Sequence, residues 1–539
     1  MAACQQQEEV DLLIFNGNIQ SLASGEWQPN QQAAAFKNGR VVRLGTDAEI
    51  LEKYHAPSAK TIDLKGKFVY PGFIDAHAHF SWLLANFGKM SLSGQLELTD
   101  IAKKLAGFEA ANPNMEALVG FGWQTAETAD LKKLKKYLDE TYPHKAVVLF
   151  RVDEHAAVAN QKAFQLGDVD SMIEIAGGTI EQETGLLTDN ALTPVRRALP
   201  EAPKATKKKW AQKAAQQCFE NGLTAVSDSW LTREDIDFLT ALTAPKDWQL
   251  IIFGKMVPSP ENEAAYFNKG PQKLGSLYLN CLKIFADGAL GSRGALLKSP
   301  YEDAPEHLGS ALTDAIAFDS ILNLADKYQL QVATHCIGDA AVTNTLDHYA
   351  AFAPKGKRWR IEHIQLIDNV DLERMAALGI IPSVQPVHAT GDLPWLAERI
   401  GTARIKEKAY RNADLLEQCG LLAYGSDFPI EPLNPLEGFY SAVFRKPIPS
   451  KIGQNTLLFE DAYWQKQRIG AKEAILAMTY WAAVANFAEE ELGSLESGKY
   501  GNFVVLNQDL TTPSKDFSAE VLATFIKAEA VYGGEDFRR

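Results

Sequence analysis

Cysteine is scarce in this chain, and the few cysteines present do not form a disulfide framework. Five cysteines occur in 539 residues, an odd number at wide spacing. No Cys-x-x-Cys pair occurs, so that signature of a structural zinc site is missing too. Long apolar runs are also missing, because no stretch approaches the ~18 consecutive apolar residues that span a bilayer. We therefore predict a globular protein without a transmembrane segment.

Positive charge is in deficit. The chain has 54 Lys and Arg residues against 68 Asp and Glu residues, which gives a formal net charge of −14. A nucleic-acid-binding surface needs concentrated basic residues, and so does attraction to an anionic membrane. The composition therefore argues against a nucleic-acid partner and against attraction to an anionic membrane, and it leaves homo-oligomerisation open.

The first residues allow two interpretations. They lack the charged and apolar regions of a signal peptide, which indicates a flexible tail at residues 1–9 of a cytoplasmic protein. Small residues nevertheless precede Cys4 and a polar spacer follows it, as at the end of a bacterial lipoprotein signal. If the sequence begins at a trimmed position, Cys4 would be the lipidated residue of a periplasmic lipoprotein. The compartment stays open.

Strand signals concentrate at the two ends of the chain. Alternating apolar and polar residues with Asn-Gly turns occupy 10–22 and 35–45, a combination typical of β-hairpins. Short apolar strands are predicted again close to the C-terminus. We therefore predict a small β-sandwich domain assembled from residues 10–70 and 486–539.

Between these ends the pattern changes to short apolar runs that alternate with helical stretches. Continuous apolar runs are typical of parallel strands that helices cover on both faces. Eight such runs predict an α/β fold, a distorted TIM (β/α)8 barrel over residues 71–485, with its active site at the carboxyl ends of the strands. The runs are 73–75, 223–226, 250–253, 282–285, 332–334, 360–362, 380–384 and 421–424.

One gap between these runs is too long for a single connection. About 140 residues separate the first run from the second, with strands of their own predicted at 117–123 and 146–151 and a lysine-rich helix at 130–139. We predict an inserted α+β subdomain over about 81–220, above the mouth of the barrel.

The strongest chemical signal ends the first barrel strand. His77 and His79 are two residues apart in PGFIDAHAH, and side chains at i and i+2 of a strand project to the same side. His335, His363 and Asp427 end later predicted strands. Each alone is compatible with a core histidine or a turn-capping aspartate, but together they predict a metal site. Imidazole and carboxylate ligands without thiolate suit zinc, manganese, iron or nickel.

This set of motifs resembles the amidohydrolase superfamily of metal-dependent hydrolases. PGFIDAHAH, the single histidines on two successive later strands and the final Gly-Ser-Asp carry the resemblance. Further segments resemble the amidohydrolase-3, YtcJ-like branch, which includes N-substituted formamide deformylase, and the resemblance covers nearly the whole chain. These segments are GFGW at 120–123, RVDEH at 151–155, LKIFADGALGSR at 282–293, HCIGD at 335–339, QPVH at 385–388 and GSLESGK at 493–499.

The resemblance implies a role for Lys283. In family members with two metals, a lysine on the fourth strand is carboxylated by CO₂ and bridges the ions, and Lys283 lies in the fourth predicted strand. Burial of an unpaired ammonium between Leu282 and Ile284 is otherwise costly. Desolvation also favours the free amine that reacts with CO₂. A lysine paired with a carboxylate, such as that of Asp287, is the alternative.

The implied activity is hydrolysis of a carbon–nitrogen amide-type bond, other than a peptide bond, in an N-acyl or N-formyl amine. A hydroxide bridging two divalent ions, with zinc expected, would attack the substrate, and Asp427 would act as catalytic acid and base. The implied metal ligands are His77, His79, Lys283, His335, His363 and Asp427. The candidate substrate-binding residues are Trp123, His155, Arg293 and His388.

Two alternatives to this activity stay open. A mononuclear enzyme that deaminates a ring amidine would leave Lys283 as an ordinary lysine. A catalytically inactive relative would act as a binding protein, although every expected type of ligand is present in the sequence.

Overall fold

The computed structural model describes most of the chain from Gln7 to Arg538. The description excludes residues 1–6, 24, 57–59, 95–96, 114, 124–127, 153, 170–174, 201, 246, 353, 449–456, 515 and 539. Cys4, the candidate lipidation site, therefore lies outside the described residues. Within the described part, no helix combines the length and the apolar character needed to cross a membrane.

Eight parallel strands form the centre of the molecule, and each is hydrogen-bonded to the next strand of the series. They overlap all eight apolar runs, which confirms the predicted α/β fold class. A short antiparallel strand, Gln272–Leu274, pairs with the fourth of them. We number them β1 Phe73–Ala78, β2 Leu223–Leu231, β3 Ile251–Met256, β4 Leu277–Phe285, β5 Gln331–Cys336, β6 Arg360–His363, β7 Ile381–Val384 and β8 Ala423–Tyr424.

The barrel closes beyond the end of the two-residue strand β8. The backbone N–H of Asp427 donates to the carbonyl of His77 at 2.7 Å, and that of His79 donates to the carbonyl of Phe428 at 2.8 Å. These bonds join the continuation of β8 to the carboxyl end of β1. The barrel is distorted, and its seam runs through the predicted metal ligands.

Burial on both faces explains why the sequences of the barrel strands are continuous apolar runs. Every residue of β1 is buried. Ile74 and Ala76 pack in one apolar cluster, whereas Phe73 packs in another together with Leu223 of β2. Because both faces of each strand are covered, no alternation of apolar and polar residues is needed.

Helices cover the barrel and begin at recognisable caps. Asp314 accepts from the N–H of Ala317 at 2.9 Å, and Asn434 accepts from that of Leu436 at 3.0 Å. Such caps satisfy N–H groups that lack a partner within the helix. The helices of this region are Phe80–Asn86, Lys204–Glu220, Arg233–Thr243, Pro260–Ala265, Ala315–Tyr328, Asp339–Ala350, Asn369–Leu378, Pro386–Lys408, Asn412–Cys419, Pro435–Phe444, Ala462–Lys466, Ala471–Ala477 and Tyr480–Ala485, with short 3₁₀ turns at Phe267–Lys269 and Leu457–Glu460.

Two sheets from both chain ends pack on each other. A shared apolar cluster between them includes Ile14, Phe36, Val69, Phe503 and Phe525. One sheet orders its strands as Arg40–Gly45, Ala33–Lys37, Leu12–Phe15 and Lys60–Asp63, and the other as Glu529–Gly533, Val521–Ile526, Phe503–Leu506, Phe68–Pro71, Asn18–Ala23 and Glu26–Gln31. The short elements of the ends are Glu8–Glu9, Asp47–Lys53, Tyr54–His55 and Glu535–Arg538. This is the predicted β-sandwich, whereas its exact domain limits stay a prediction.

The long gap after β1 holds a third, mixed sheet with its own core. Apolar clusters lie on both of its faces, one around Phe150 and Phe164 and the other around Leu118 and Leu149. Its strands, in spatial order, are Met90–Gly94, Ala117–Trp123, Ala146–Arg151, Ala156–Ala159, Leu186–Asp189 and Gly178–Glu181, and its helices are Leu98–Ala111, Thr128–Thr141, Gln161–Leu166 and Leu192–Ala198. The predicted inserted α+β subdomain is present, although its limits of about 81–220 stay a prediction.

Candidate metal centre

Three buried side chains meet at the seam of the barrel. Because β1 projects i and i+2 side chains to one side, His77 and His79 both face the end of β8. Oδ1 of Asp427 lies 3.4 Å from Nε2 of His77 and 3.2 Å from Nε2 of His79. These three residues could hold a metal ion, since their ligand atoms lie within 4.8 Å of one another.

The His77 imidazole is oriented by a buried charge network. Its Nδ1 lies 2.6 Å from Oε2 of Glu362 on β6, and neither side chain has exposed surface. The carboxylate of Glu362 also pairs with Arg360 at 2.8 Å and with Lys255 of β3 at 3.1 Å. Since a carboxylate only accepts, Nδ1 of His77 carries the proton, and Nε2 keeps its lone pair for a metal.

His79 and His363 are oriented in the same way. Nδ1 of His79 donates to the carbonyl of Ser229 at 3.0 Å, and its ring stacks on Trp82 with the ring centres 3.8 Å apart. Nδ1 of His363 donates to Oε1 of Gln385 at 2.8 Å. In both imidazoles the second nitrogen, Nε2, is left to bind a metal.

His335 completes the group of four imidazoles. Its ring centre lies 4.5 Å from that of His363, which in turn lies 4.7 Å from that of His77. Nε2 of His335 faces the carbonyl of Gly288 at 3.5 Å and Oδ1 of Asp287 at 3.6 Å. Nδ1 is therefore the nitrogen of His335 that could bind a metal.

Lys283 of β4 is completely buried beside these rings. Its Nζ lies 3.4 Å from Nε2 of His77 and 4.9 Å from the centre of the Phe285 ring. Among the described residues, no carboxylate forms an ion pair with it, and Asp287 instead accepts the backbone N–H groups of Leu296, Ile337 and Gly338. Burial lowers the pKa of Lys283 to about 8. A larger fraction of this amine is therefore uncharged near neutral pH than of an exposed lysine, although most of it stays protonated.

The protonation states favour metal binding. Burial lowers the pKa of all four imidazoles, those of His77, His335 and His363 well below the ordinary value, so the rings are neutral at physiological pH. The pKa of Asp427 is held well below its usual range although burial alone would raise it, so this carboxyl group is ionised. The site thus offers neutral nitrogen donors and an ionised carboxylate.

His388, predicted from the sequence to bind substrate, lies on the same side of the barrel. Its Nε2 is 3.6 Å from Oδ2 of Asp427, and its ring stacks parallel to that of His363 with the ring centres 5.9 Å apart. His363, His388 and Asp427 form a second group whose ligand atoms could hold a metal ion. His388 is thus adjacent to the predicted metal ligands.

The inserted subdomain brings His155 to the centre. The His155 ring lies 5.5 Å from that of His335, centre to centre, and its Nδ1 donates to Oδ1 of Asp189 at 2.7 Å. The Asp189 carboxylate therefore orients the His155 ring. The pair comes from the turn before the strand Ala156–Ala159 and from the end of Leu186–Asp189.

The other two candidate substrate residues have partners elsewhere. The Trp123 indole N–H donates to the carbonyl of Leu149 at 2.7 Å within the inserted subdomain. Arg293 forms a two-bond pair with Asp303, at 3.1 and 2.8 Å. In the described part of the chain, neither forms a hydrogen bond, an ion pair or a ring contact with the four imidazoles, and their binding of substrate stays a prediction.

Sequence reasoning missed several residues around the centre. Lys255 and Glu362 are charged residues inside apolar strands. Their unusual position is the sequence feature that could have identified them as part of the centre. Three half-buried aromatic residues, Trp82, Trp230 and Phe285, were not predicted either, and we call them the aromatic wall. The Trp230 ring meets the Phe285 ring edge-on with the centres 4.8 Å apart. Since these residues are distant in sequence, nothing in the chain predicts this aromatic wall.

Comparison with known proteins identifies relatives over nearly the full length. The profile of the Amidohydrolase family matches residues 60–532. Protein LONG AFTER FAR-RED 3 of Arabidopsis thaliana is 31% identical over 545 residues, which cover 97% of this chain and 91% of the plant protein. Putative amidohydrolase YtcJ of Bacillus subtilis is 30% identical, with 93% and 96% covered.

A more distant relative and a solved structure agree with these matches. N-substituted formamide deformylase of Arthrobacter pascens is 25% identical, with 93% of this chain and 94% of the deformylase covered. The crystal structure of an uncharacterized metal-dependent hydrolase from Pyrococcus horikoshii OT3 is similar with a TM-score of 0.77 at 25% identity. That similarity covers 94% of this chain and 99% of the archaeal protein.

Proposed function

Because this chain belongs to the amidohydrolase family, in its YtcJ-like branch, we propose that it is a binuclear metal-dependent hydrolase that cleaves a carbon–nitrogen amide-type bond in an N-acyl or N-formyl amine. Membership of the family makes it a metal-dependent hydrolase of a small-molecule substrate. The proposal adds the number of metals, the bridging lysine and the bond that is cleaved.

One arrangement carries the proposal. Oδ1 of Asp427 is buried within 3.4 Å of Nε2 of both His77 and His79. Among the described residues, it nevertheless receives no well-aligned hydrogen bond. A buried carboxylate oxygen without an aligned donor is costly, and a cation at this point would remove that cost.

The donor set fits two divalent metals, with zinc as the expected ion. Neutral imidazole nitrogens and carboxylate oxygens are usual ligands of zinc. In the proposal, His77, His79 and Asp427 would hold one ion, His335 and His363 would hold the other, and carboxylated Lys283 would supply a ligand to both. Two bound cations would supply a water of lowered pKa and would polarise the substrate carbonyl.

Asp427 has the proton-transfer role in this proposal. Its carboxylate is ionised, and His388 is the imidazole beside its second oxygen, at 3.6 Å. An ionised carboxylate at this point accepts the proton of the attacking water and delivers it to the leaving nitrogen. Delivery to nitrogen completes hydrolysis, since an amine anion is a poor leaving group.

His388 is suited to bind the substrate oxygen. Nε2 of Gln365 lies 3.5 Å from Nδ1 of His388, and with the Gln365 amide as the donor the His388 ring has its own N–H at Nε2. No hydrogen-bond partner of that Nε2 occurs among the described residues. A donor held in this way stabilises negative charge that develops on a carbonyl oxygen.

The aromatic wall supports an apolar substituent on the substrate. Trp82, Trp230 and Phe285 are half-buried around the imidazoles, and His155 adds one polar group from the inserted subdomain. Small-molecule sites are mostly apolar with a few placed polar groups. The name of the Arthrobacter pascens relative, N-substituted formamide deformylase, supports N-formyl amines as the first substrates to screen.

Metal analysis tests the proposal. We expect about two equivalents of metal per chain after purification with bicarbonate and without chelator. Lys283→Ala should retain one equivalent or fewer and lose hydrolysis, and a short carboxylic acid should partly restore it. The matched control is Lys135→Ala, which removes a buried lysine of the inserted subdomain that pairs with Asp139.

Two outcomes would contradict the proposal in different ways. A single equivalent that Lys283→Ala does not change would exclude the bridging lysine and favour the mononuclear deaminase. A two-metal enzyme that fails to cleave any N-formyl or N-acyl amine in a broad screen would exclude the proposed bond class and leave the metal site intact.

A further inference from the structure

Arg445 is a buried guanidinium without a counter-charge. It follows the helix Pro435–Phe444 and has no exposed surface. Nε, Nη1 and Nη2 all lack a hydrogen-bond partner, and no carboxylate forms an ion pair with it in the described part of the chain. Its pKa is lowered to about 10, mainly by burial, so it stays protonated at neutral pH.

This arrangement is unusual for a charged side chain. Buried Arg residues are almost always paired, because an isolated ion in a protein interior is costly. Arg411, which is also largely buried, pairs with Asp414 at 2.7 Å in the ordinary manner. The Trp464 ring lies 4.0 Å from the Arg445 guanidinium carbon, but such a contact satisfies no N–H group.

The hydroxyl of Tyr424 is a second buried donor without a partner in the part of the chain that the structure describes. Tyr424 lies at the end of β8 and is only 4% exposed. The two side chains interact electrostatically, and the other groups whose charge acts on Arg445 are the phenols of Tyr410 and Tyr463. The Tyr410 hydroxyl donates to Asp392, and no carboxylate of the described residues is hydrogen-bonded to Arg445 itself.

We propose that Arg445 and Tyr424 form a buried binding site for one small monovalent anion, a halide or a short carboxylate such as formate. An anion would supply the missing counter-charge and accept hydrogen bonds from both side chains. Complete burial of the guanidinium restricts the occupant to a few atoms. None of the six proposed metal ligands forms a hydrogen bond or an ion pair with Arg445 in the described chain, so the anion site and the metal centre share no ligand.

Thermal unfolding of the metal-loaded enzyme tests the site. Sodium bromide and sodium formate are each titrated against sodium gluconate at constant ionic strength. Binding to the folded state alone raises Tm, so we expect a saturable rise of a few degrees with one or both small anions. The two salts separate a halide from a carboxylate as the preferred occupant.

Variants connect the effect to the residues. Arg445→Met should abolish the anion-dependent rise of Tm, and Tyr424→Phe should shift its midpoint to higher concentration. Arg411→Met, which removes a paired arginine, should keep the rise. If Arg445→Met does not fold, Tyr424→Phe and the crystallographic experiment below decide the proposal.

Bromide crystallography gives the direct evidence. A crystal soaked in bromide should show an anomalous peak within hydrogen-bonding distance of the Arg445 guanidinium. Ordered water alone at this position, together with a Tm that does not depend on the small anions, would overturn the proposal. An anomalous peak elsewhere, with the Tm response retained in Arg445→Met, would overturn it as well.

Discussion

Oε2 of Glu362 lies 2.6 Å from Nδ1 of His77, and both side chains are completely buried. Burial would raise the pKa of this carboxyl group, but Arg360, Lys255 and His77 hold it well below its usual range. Glu362 is therefore a fixed negative charge behind a predicted metal ligand. It connects β1, β3 and β6 on the inside of the barrel.

Glu362→Gln tests this contact. The amide keeps the size of the side chain but cannot balance the charges of Arg360 and Lys255, and it holds the His77 tautomer less firmly. We expect zinc affinity to fall about 10–100-fold, as for other partners of metal-binding histidines. Competition with a chromophoric chelator measures the zinc affinity. Glu491→Gln, which removes a partner of Lys273, is the control, and equal zinc affinity in both variants would contradict the prediction.

Asp427→Asn separates proton transfer from metal binding. The amide oxygen can still approach a cation, but it accepts protons poorly. We expect kcat to fall by about 10²–10⁴-fold while most of the metal stays bound. Steady-state kinetics and elemental analysis of the same preparation measure both quantities. Normal turnover with a full metal content would remove Asp427 from the acid–base role.

Asp189→Asn tests the contribution of the inserted subdomain. His155 donates Nδ1–H to Asp189, and loss of the carboxylate weakens the bond that orients the ring. Because charge-assisted hydrogen bonds contribute about 1.5–3 kcal/mol, we expect kcat/KM to fall roughly 10-fold or more. The metal content should stay constant. Asp139→Asn, which changes an ion pair of the same subdomain, should leave kcat/KM unchanged.

Gly288→Ala tests the close packing between the inserted subdomain and the loop after β4. An added Cβ would lie 2.9 Å from Oδ1 of Asp189 and 3.1 Å from Cα of Gly294, so one of them must move. We expect a loss of about 1–3 kcal/mol in stability and a lower Tm. Gly107→Ala is the opposite control, since nothing lies within 4 Å of its added Cβ and the helical position favours alanine. If the Tm of Gly288→Ala equals that of the unmodified protein, the packing argument is contradicted.

Asp509 gives a pH-dependent prediction. Burial opposes its ionisation, but hydrogen bonds from Thr511 and Tyr70 hold its pKa below the ordinary value of 3.8. A carboxyl group with a lowered folded-state pKa stabilises the fold above its unfolded-state pKa and loses that effect as the pH falls. The Tm difference between the unmodified protein and Asp509→Asn should therefore be largest near pH 7 and shrink below about pH 5. Asp516→Asn, at an exposed position, is the control, and a difference that grows with acid would contradict the prediction.

The barrel and the two sheets at the chain ends were predictable because their signals are local. Each barrel strand is a short apolar run, and the Asn-Gly pairs mark turns between neighbouring strands. His77 and His79 were predictable for the same reason, since their spacing alone places them on one side of β1.

The environment of the site was not predictable, because it depends on contacts between distant residues. The ion pair between Lys255 and Glu362 joins positions 107 residues apart. The contact between His155 and Asp189 depends on the antiparallel pairing of two strands inside the inserted subdomain, which brings together residues 34 positions apart. Such contacts follow from the closed topology, and no periodicity in the sequence encodes them.

The sandwich built from both chain ends has a consequence for synthesis on the ribosome. The strand Phe68–Pro71 pairs with Phe503–Leu506, and the Tyr70 hydroxyl donates to Asp509, 439 residues further along the chain. At about 5–20 residues per second, the N-terminal strands wait roughly 20–90 s for these partners. During that time they present unpaired strand edges, which are templates for association with other chains. The sandwich can therefore be completed only after the strand Phe503–Leu506 has left the ribosome, and its N-terminal strands are open to association with other chains until then.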